Sequence, residues 1–319
     1  MAAAAPPAAG GLGAGALPGA HAGGAPPAPA GGELGELGVS LPHPDRLVFP
    51  AAGITRERLA RYYARVAPAL LPYLAGRWIT VRRWPEGVDA PGFYQRHPLS
   101  AREGAGPGIT IATAADLVRW VGWGTVEFHA PLGPAAAPDR HDWAVMDLDP
   151  EPEAGWDRVR TAAEGVLWLL ERAGLPYRLK TSGHEGLHIF IPIRPLAAGA
   201  VTLAMGALAR AVAAALPETA TVERQVDKRG PRVYLDYLQN ADRRSMVAPY
   251  SVRGTAAARV STPIRREELP LGPAPWTLEV VERRLATEGD LFAWEGPRAD
   301  LSAAVAALGL PAAPGRSRA

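Results

Sequence analysis

Residues 142–150 read Asp-Trp-Ala-Val-Met-Asp-Leu-Asp-Pro, an apolar run that ends in Asp147 and Asp149. The run is too short for a helix and predicts a strand over Trp143–Leu148. Positions i and i+2 of a strand share a face, so the two carboxylates stand side by side at its end. Two close carboxylates repel and invite a divalent cation. Oxygen-only ligation suits Mg²⁺ or Mn²⁺, metals that handle phosphates. The alternative reading is that both aspartates cap a turn at Pro150 and Glu151.

Outward from this strand the periods alternate. Helical spacing is predicted over 55–75, with Thr55 as N-cap, over 157–173, with Gly174 as a stop, and over 199–216. β-like runs lie at Trp78–Arg83, Gly124–His129, Tyr177–Thr181, Leu187–Ile193 and Arg232–Leu238. Helices interleaved with hairpin-like strands predict an α/β or α+β domain, a mixed β-sheet core flanked by helices. Residues 1–32 hold only Met1, Leu12, Leu17 and His21 outside Ala, Gly and Pro, and are expected to form a disordered leader. Residues 297–319 are expected to be a partly disordered Ala-rich tail with one short helix, leaving 33–296 as the folded domain.

Composition excludes several chemistries. The 319 residues contain no cysteine, which removes disulfides, Cys-ligated zinc, iron–sulfur clusters and thiol nucleophiles. No run of eighteen apolar residues and no secretory signal pattern is found, so no membrane association and a cytoplasmic location are expected. The net charge of +2 is too small to argue for nucleic acid by itself. Lys180 and Lys228 are the only lysines, an Arg-for-Lys bias that fits GC-rich coding alongside abundant Ala, Gly and Pro.

Two further clusters carry chemistry. In Lys180-Thr-Ser182-Gly-His-Glu185-Gly-Leu-His188-Ile-Phe190, a strand enters a Gly-flanked loop and leaves through a second strand. Backbone N–H groups and Ser182 there could cradle phosphate oxygens. Taken alone, His188 reads first as a hydrogen-bonded core histidine beneath a tight hairpin. In Arg232-Val-Tyr-Leu-Asp236-Tyr-Leu-Gln239-Asn240, a lone acid within an apolar strand is costly to bury unless paired or metal-bound. Asp236 thus supplies a third carboxylate. Downstream, Arg253 in Val-Ala-Pro-Tyr-Ser-Val-Arg could clamp a triphosphate.

The ordered set DLDP, SGxxGLH, LDYLQN and APYSVR, preceded by HPDRLVFP, GITRERLARYYARVAPALLPYLAGR, WPEGV and FYQRH, resembles the polymerase domain of bacterial DNA ligase D. That domain belongs to the archaeo-eukaryotic primase superfamily, and the resemblance runs from about His43 to Asp290. It implies a primase-polymerase fold and a template-directed nucleotidyltransferase that extends or gap-fills DNA ends in non-homologous end joining, favouring ribonucleotides. By the same resemblance Asp147, Asp149 and Asp236 hold two Mn²⁺ or Mg²⁺ ions. Ser182, His188, Gln239, Arg253 and His129 contact the NTP or dNTP, and Phe93 and Tyr94 stack its base. Arg46 and Arg56 stand where relatives commonly carry lysines that grip a downstream DNA 5′-phosphate. Ku and a separate DNA ligase are the implied partners, because the chain ends where that domain ends and ligase and phosphoesterase modules are expected to be absent.

There are departures from the pattern. Glu185 stands where relatives often have a basic residue, and Ala-Pro-Leu follows His129 where they commonly have a Trp. Two rival readings therefore stay open: a metal-dependent phosphodiesterase or nuclease, and a non-catalytic DNA-end-binding module.

Overall fold

The computed structural model describes residues 34–100 and 106–310. The leader expected over 1–32 and the tail beyond 310 lie outside the described residues.

The chain opens with a short ladder, β1 (Leu47–Phe49) and β2 (Ile54–Thr55), and enters α1 (Arg56–Leu74). Thr55 caps α1 as expected, its hydroxyl accepting the Arg58 N–H. Pro68 and Pro72 lie inside this helix, where each removes a backbone bond. Both sit on the exposed side. The buried face carries Leu59, Tyr62, Tyr63, Val66 and Leu70. There follow β3 (Thr80–Arg83), β4 (Phe93–Gln95), α2 (Ala114–Gly122), β5 (Thr125–Pro131), β6 (Arg140–Pro150), α3 (Gly155–Arg172), β7 (Arg178–Thr181), β8 (Leu187–Ala197) and α4 (Ala198–Ala215). The chain continues with β9 (Ala220–Thr221), β10 (Val233–Asp236), β11 (Ser245–Val247), β12 (Pro263–Ile264), α5 (Leu278–Glu288) and α6 (Leu301–Ala307).

Two larger sheets result. One has six strands in the order β12-β7-β8-β6-β10-β9, the other four in the order β11-β5-β3-β4. Among these named strands only β9 and β10 pair in parallel. The central strand β6 has β8 on one side and β10 on the other, and its segment Trp143–Met146 is buried throughout. A strand covered on both faces reads as a continuous apolar run, which is why this stretch was legible. Helices α3 and α4 pack against β6, and α1 packs against α2 and α5.

One apolar helix needs placing, and one expected boundary moves. Helix α4 is long and apolar enough, by length and composition, to cross a membrane, yet Val201, Met205, Leu208 and Val212 are buried in the protein core. The fold also continues past residue 296: Ala299 bridges Ile193, and α6 buries Leu301 and Val305. The expected short helix is there, but as part of the packed body.

Candidate active site

The pairing register lays one row of side chains across the six-stranded sheet. Lys180 on β7 faces His188 on β8, His188 faces Asp147 on β6, and Asp147 faces Asp236 on β10. Three adjacent polar pairs in an otherwise apolar sheet demand mutual satisfaction. Lys180 Nζ lies 2.7 Å from His188 Nδ1 and donates at 2.7 Å to Ser261 Oγ. His188 Nε2 lies 3.3 Å from Asp147 Oδ1. The core reading of His188 thus holds: it is buried and hydrogen-bonded, and it borders the carboxylates.

The three aspartates are neighbours by register, not yet gathered. Among the described residues no three His, Asp or Glu side chains, as they stand, close on a point that would hold a metal ion. Their energetics nevertheless ask for a cation. Burial pushes the Asp147 carboxyl up to about 6, against the pull of Lys180 and Arg253. Burial and the Asp147 charge push Asp149 up to about 6 as well, and the same two causes raise Asp236. Hard oxygen donors that repel one another fit Mg²⁺ or Mn²⁺. The turn-capping role weighed for Asp147 and Asp149 belongs instead to Asp236, whose Oδ1 accepts the Leu238 N–H at 3.0 Å. Gln239 Nε2 donates to Asp236 Oδ2 at 3.0 Å, so it steadies this carboxylate. Buried Asn240 holds the same turn to β6 through the Val145 N–H and carbonyl.

A second polar cluster centres on Glu127, a fully buried residue that the sequence reading did not single out. Its Oε2 lies 2.8 Å from His129 Nε2, its Oε1 accepts the Gly254 N–H at 2.9 Å, and Arg253 Nε is 3.3 Å from Oε1. Burial alone would raise this acid, but the His129 hydrogen bond and the Arg253 charge outweigh it and hold the carboxyl at about 2. Arg82, 3.8 Å from Glu127, lies over the rings of Trp84 and Tyr94. Tyr94 is exposed and meets His129 edge-on, with ring centroids 5.7 Å apart. Consecutive residues of a strand face opposite ways. Phe93 accordingly lies against Arg83, away from His129. Of the two aromatics, only Tyr94 borders this cluster. Beyond His129 the wall is a strand edge, since Val247 of β11 pairs with His129 and Met246 with Ala130.

The loop between β7 and β8 joins the two clusters. Gly183 has φ +76°, and a Cβ there would stand 2.5 Å from Arg253 Cγ, so only glycine fits. Ser182 Oγ accepts the N–H groups of His184 and Gly186 at 3.1 and 3.0 Å. Two of the backbone donors expected to cradle phosphate are therefore spent on Ser182, which retains only its own O–H to offer. His184 Nε2 is buried without a hydrogen-bond partner, and burial together with the Arg253 charge lowers that imidazole to about 4. Arg253 Nη1 donates to the Ser182 carbonyl at 2.9 Å. Glu185, the departure noted above, pairs with Arg259 at 2.8 Å.

Arg46 and Arg56 share an acceptor elsewhere. Both donate to the Pro85 carbonyl at 2.9 Å; Arg46 also pairs with Glu86 at 2.7 Å, and buried Arg56 donates to the Pro42 carbonyl at 2.8 Å. Burial and the Arg46 charge lower the Arg56 guanidinium from its ordinary value. Trp84, the neighbour of Pro85, carries Arg82 on its ring and so links this pair to the Glu127 cluster.

Comparison with known proteins identifies the family. The family model described as LigD, primase-polymerase domain, matches residues 55–292. The multifunctional non-homologous end joining protein LigD of Pseudomonas aeruginosa is 34% identical over 278 residues, covering 82% of this chain and 33% of that protein. The LigD of Mycobacterium tuberculosis is 31% identical over 288 residues, covering 82% of this chain and 37% of that protein. The chain thus spans about a third of the length of these relatives. The solved polymerase domain of Mycobacterium tuberculosis ligase D in complex with DNA superposes with a TM-score of 0.72 at 30% identity, covering 79% of this chain and 96% of that one. A family match over most of the folded residues, with the same fold in a solved relative, means that this chain belongs to the LigD primase-polymerase domain family.

Proposed function

We propose that the chain is a divalent-metal-dependent, template-directed nucleotidyltransferase that extends or fills DNA ends during non-homologous end joining, favouring ribonucleotides. The observation that carries this reading is the register row Lys180–His188–Asp147–Asp236 beside Asp149, with the Glu127–Arg253 cluster one loop away. Asp147, Asp149 and Asp236 would hold Mn²⁺ or Mg²⁺, which when bound activates a primer 3′-hydroxyl and neutralises charge on the incoming α-phosphate. The chain's own residues bind and orient. Tyr94 offers its exposed ring to a base. His129, fixed by Glu127, presents a polar edge beside that ring to a sugar hydroxyl. Arg253 and Ser182 face the phosphates, with His188 held ready by Lys180. Arg46 and Arg56 would take a DNA 5′-phosphate in exchange for the exposed Glu86. Ku and a separate ligase are the proposed partners, and the cytoplasm the proposed location.

The deciding experiment offers purified protein a gapped duplex with a 5′-phosphate, Mn²⁺, and ribo- or deoxyribonucleotides. Template-directed extension, faster with ribonucleotides, is expected. Strand cleavage would point to a phosphodiesterase, and binding without either product to an end-binding module.

A further inference from the structure

Arg253 has a counterpart across its hairpin. The antiparallel bridge Val252–Val260 sets Arg253 opposite Arg259, and the Arg253 N–H donates to the Arg259 carbonyl at 2.8 Å. Like charges directly opposite each other on paired strands repel. Both side chains nonetheless reach toward the same loop: Arg253 Nη1 to the Ser182 carbonyl and Arg259 Nη1 to Glu185 Oε1. The loop is seated tightly on this hairpin, since a Cβ on Gly183 would stand 3.0 Å from Ser261 N and 3.1 Å from Val260 C.

The two arginines differ in how firmly they are held. Arg253 is tied to fully buried Glu127. Arg259 has a carboxylate partner whose side chain is 74% exposed. Exposed ion pairs contribute little and exchange readily. The loop itself is short of donors for an anion, because Ser182 consumes the His184 and Gly186 N–H groups. The hairpin brings positive charge to the loop through Arg253 and Arg259.

We propose that Arg259 is the second arm of a polyphosphate clamp whose first arm is Arg253, with Glu185 as a resident anion that the nucleotide's phosphates displace. The proposal rests on the nucleotidyltransferase reading. Guanidinium forks match phosphate oxygens bidentately, and a polyphosphate carries several charges against the single charge of Glu185. Glu185 then swings into solvent, where its side chain already largely lies. The clamp selects for phosphate-chain length and is indifferent to the base.

The test is calorimetric titration of the whole chain with ATP and with adenosine, each in Mn²⁺. Arg259→Ala should weaken ATP binding about tenfold and leave adenosine unchanged. Arg259→Lys, which keeps the charge but loses the fork, should fall between. Glu185→Gln should tighten ATP about two- to fivefold. In the double variant that gain should vanish, because no cation is left to unmask. ATP affinity unchanged in Arg259→Ala, or a Glu185→Gln gain that persists in its background, overturns the clamp. A wild-type protein that takes up no ATP overturns the nucleotidyltransferase reading itself, a result visible before any variant is compared.

Discussion

Lys180 Nζ lies 2.7 Å from Nδ1 of His188, and both residues are buried. With the Lys180 amine as donor, the imidazole proton falls on Nε2, the atom 3.3 Å from Asp147 Oδ1. Lys180 is thus a positioning residue that selects the tautomer His188 presents to the carboxylates. Burial and the Arg253 charge hold the Lys180 amine well below its ordinary value, so Met, of similar length, fits the space but leaves His188 Nδ1 without its partner. Lys180→Met should cost about 1–3 kcal/mol of stability and lower turnover roughly 10- to 100-fold through misorientation. Nitrogen NMR of His188 separates this from a purely structural role: the variant should show mixed tautomers where the wild type shows one.

Removing a proposed metal carboxylate should have the opposite signature to removing a structural acid. Asp147 and Asp149 are each raised to about 6, burial being the main cause in both and mutual repulsion adding to it at Asp149. Asp147→Ala or Asp149→Ala should abolish nucleotide addition and leave metal-free thermal stability unchanged or slightly higher. Added Mn²⁺ should raise the melting temperature of the wild type and not of either variant, and chelation should silence the wild type. A variant with full turnover in Mn²⁺ would sink the assignment.

Arg253 and Glu127 form a buried pair beside the proposed nucleotide site. Arg253→Ala should raise the KM for nucleotide about tenfold or more, as expected for a charge-assisted bond of about 1.5–3 kcal/mol. It should also cost stability, because Glu127 keeps His129 and the Gly254 N–H but loses a neutralising charge. Unchanged nucleotide dependence together with lowered stability would make Arg253 purely structural.

Glu127 gives a pH dependence with a definite sign. Its carboxyl lies at about 2 in the folded protein against 4.5 ordinarily. A depressed acid contributes stability that is fully present above about 4.5 and is lost as pH falls toward 2. The shift corresponds to a contribution on the order of 3 kcal/mol. Glu127→Gln should therefore be less stable than the wild type at neutral pH, with the gap narrowing between pH 4.5 and 2. Urea unfolding at stepped pH checks this, and parallel curves across that range would falsify it.

These residues differ in how far sequence could reveal them. Strand β6 and the positions of Asp147, Asp149 and Asp236 were legible because acids interrupt apolar runs, a local signal. The Thr113–Asp116 capping box of α2 was present in the sequence, but its helix spans only nine residues and its period is faint. Lys180 stood in a quoted motif, yet its partnership with His188 depends on strand register. Glu127 meets Arg253, and Glu185 meets Arg259, across segments distant in sequence, which no periodicity encodes. Phe93 and Tyr94 could not be told apart until the pairing of β4 with β3 fixed which face each takes.

Arg46 and Arg56 need separate treatment in any test of 5′-phosphate recognition, because their environments differ. Arg56 is buried and satisfies the Pro42 and Pro85 carbonyls. Arg56→Ala should therefore cost about 1–3 kcal/mol of stability from unsatisfied groups alone. Arg46 remains partly exposed, and its ion partner Glu86 is 70% exposed, so Arg46→Ala is the cleaner probe. If the pair reads a terminal phosphate, Arg46→Ala should weaken binding to gapped DNA bearing a 5′-phosphate and hardly affect the same duplex with a 5′-hydroxyl. Its salt dependence on the phosphorylated substrate should flatten by about one phosphate contact. Glu86→Gln should act in the opposite direction, because the guanidinium is then free of its exposed competitor. Equal weakening on both duplexes would mean general backbone attraction, and no weakening on either would leave Arg46 and Arg56 as a brace that holds Pro85 against the start of α1.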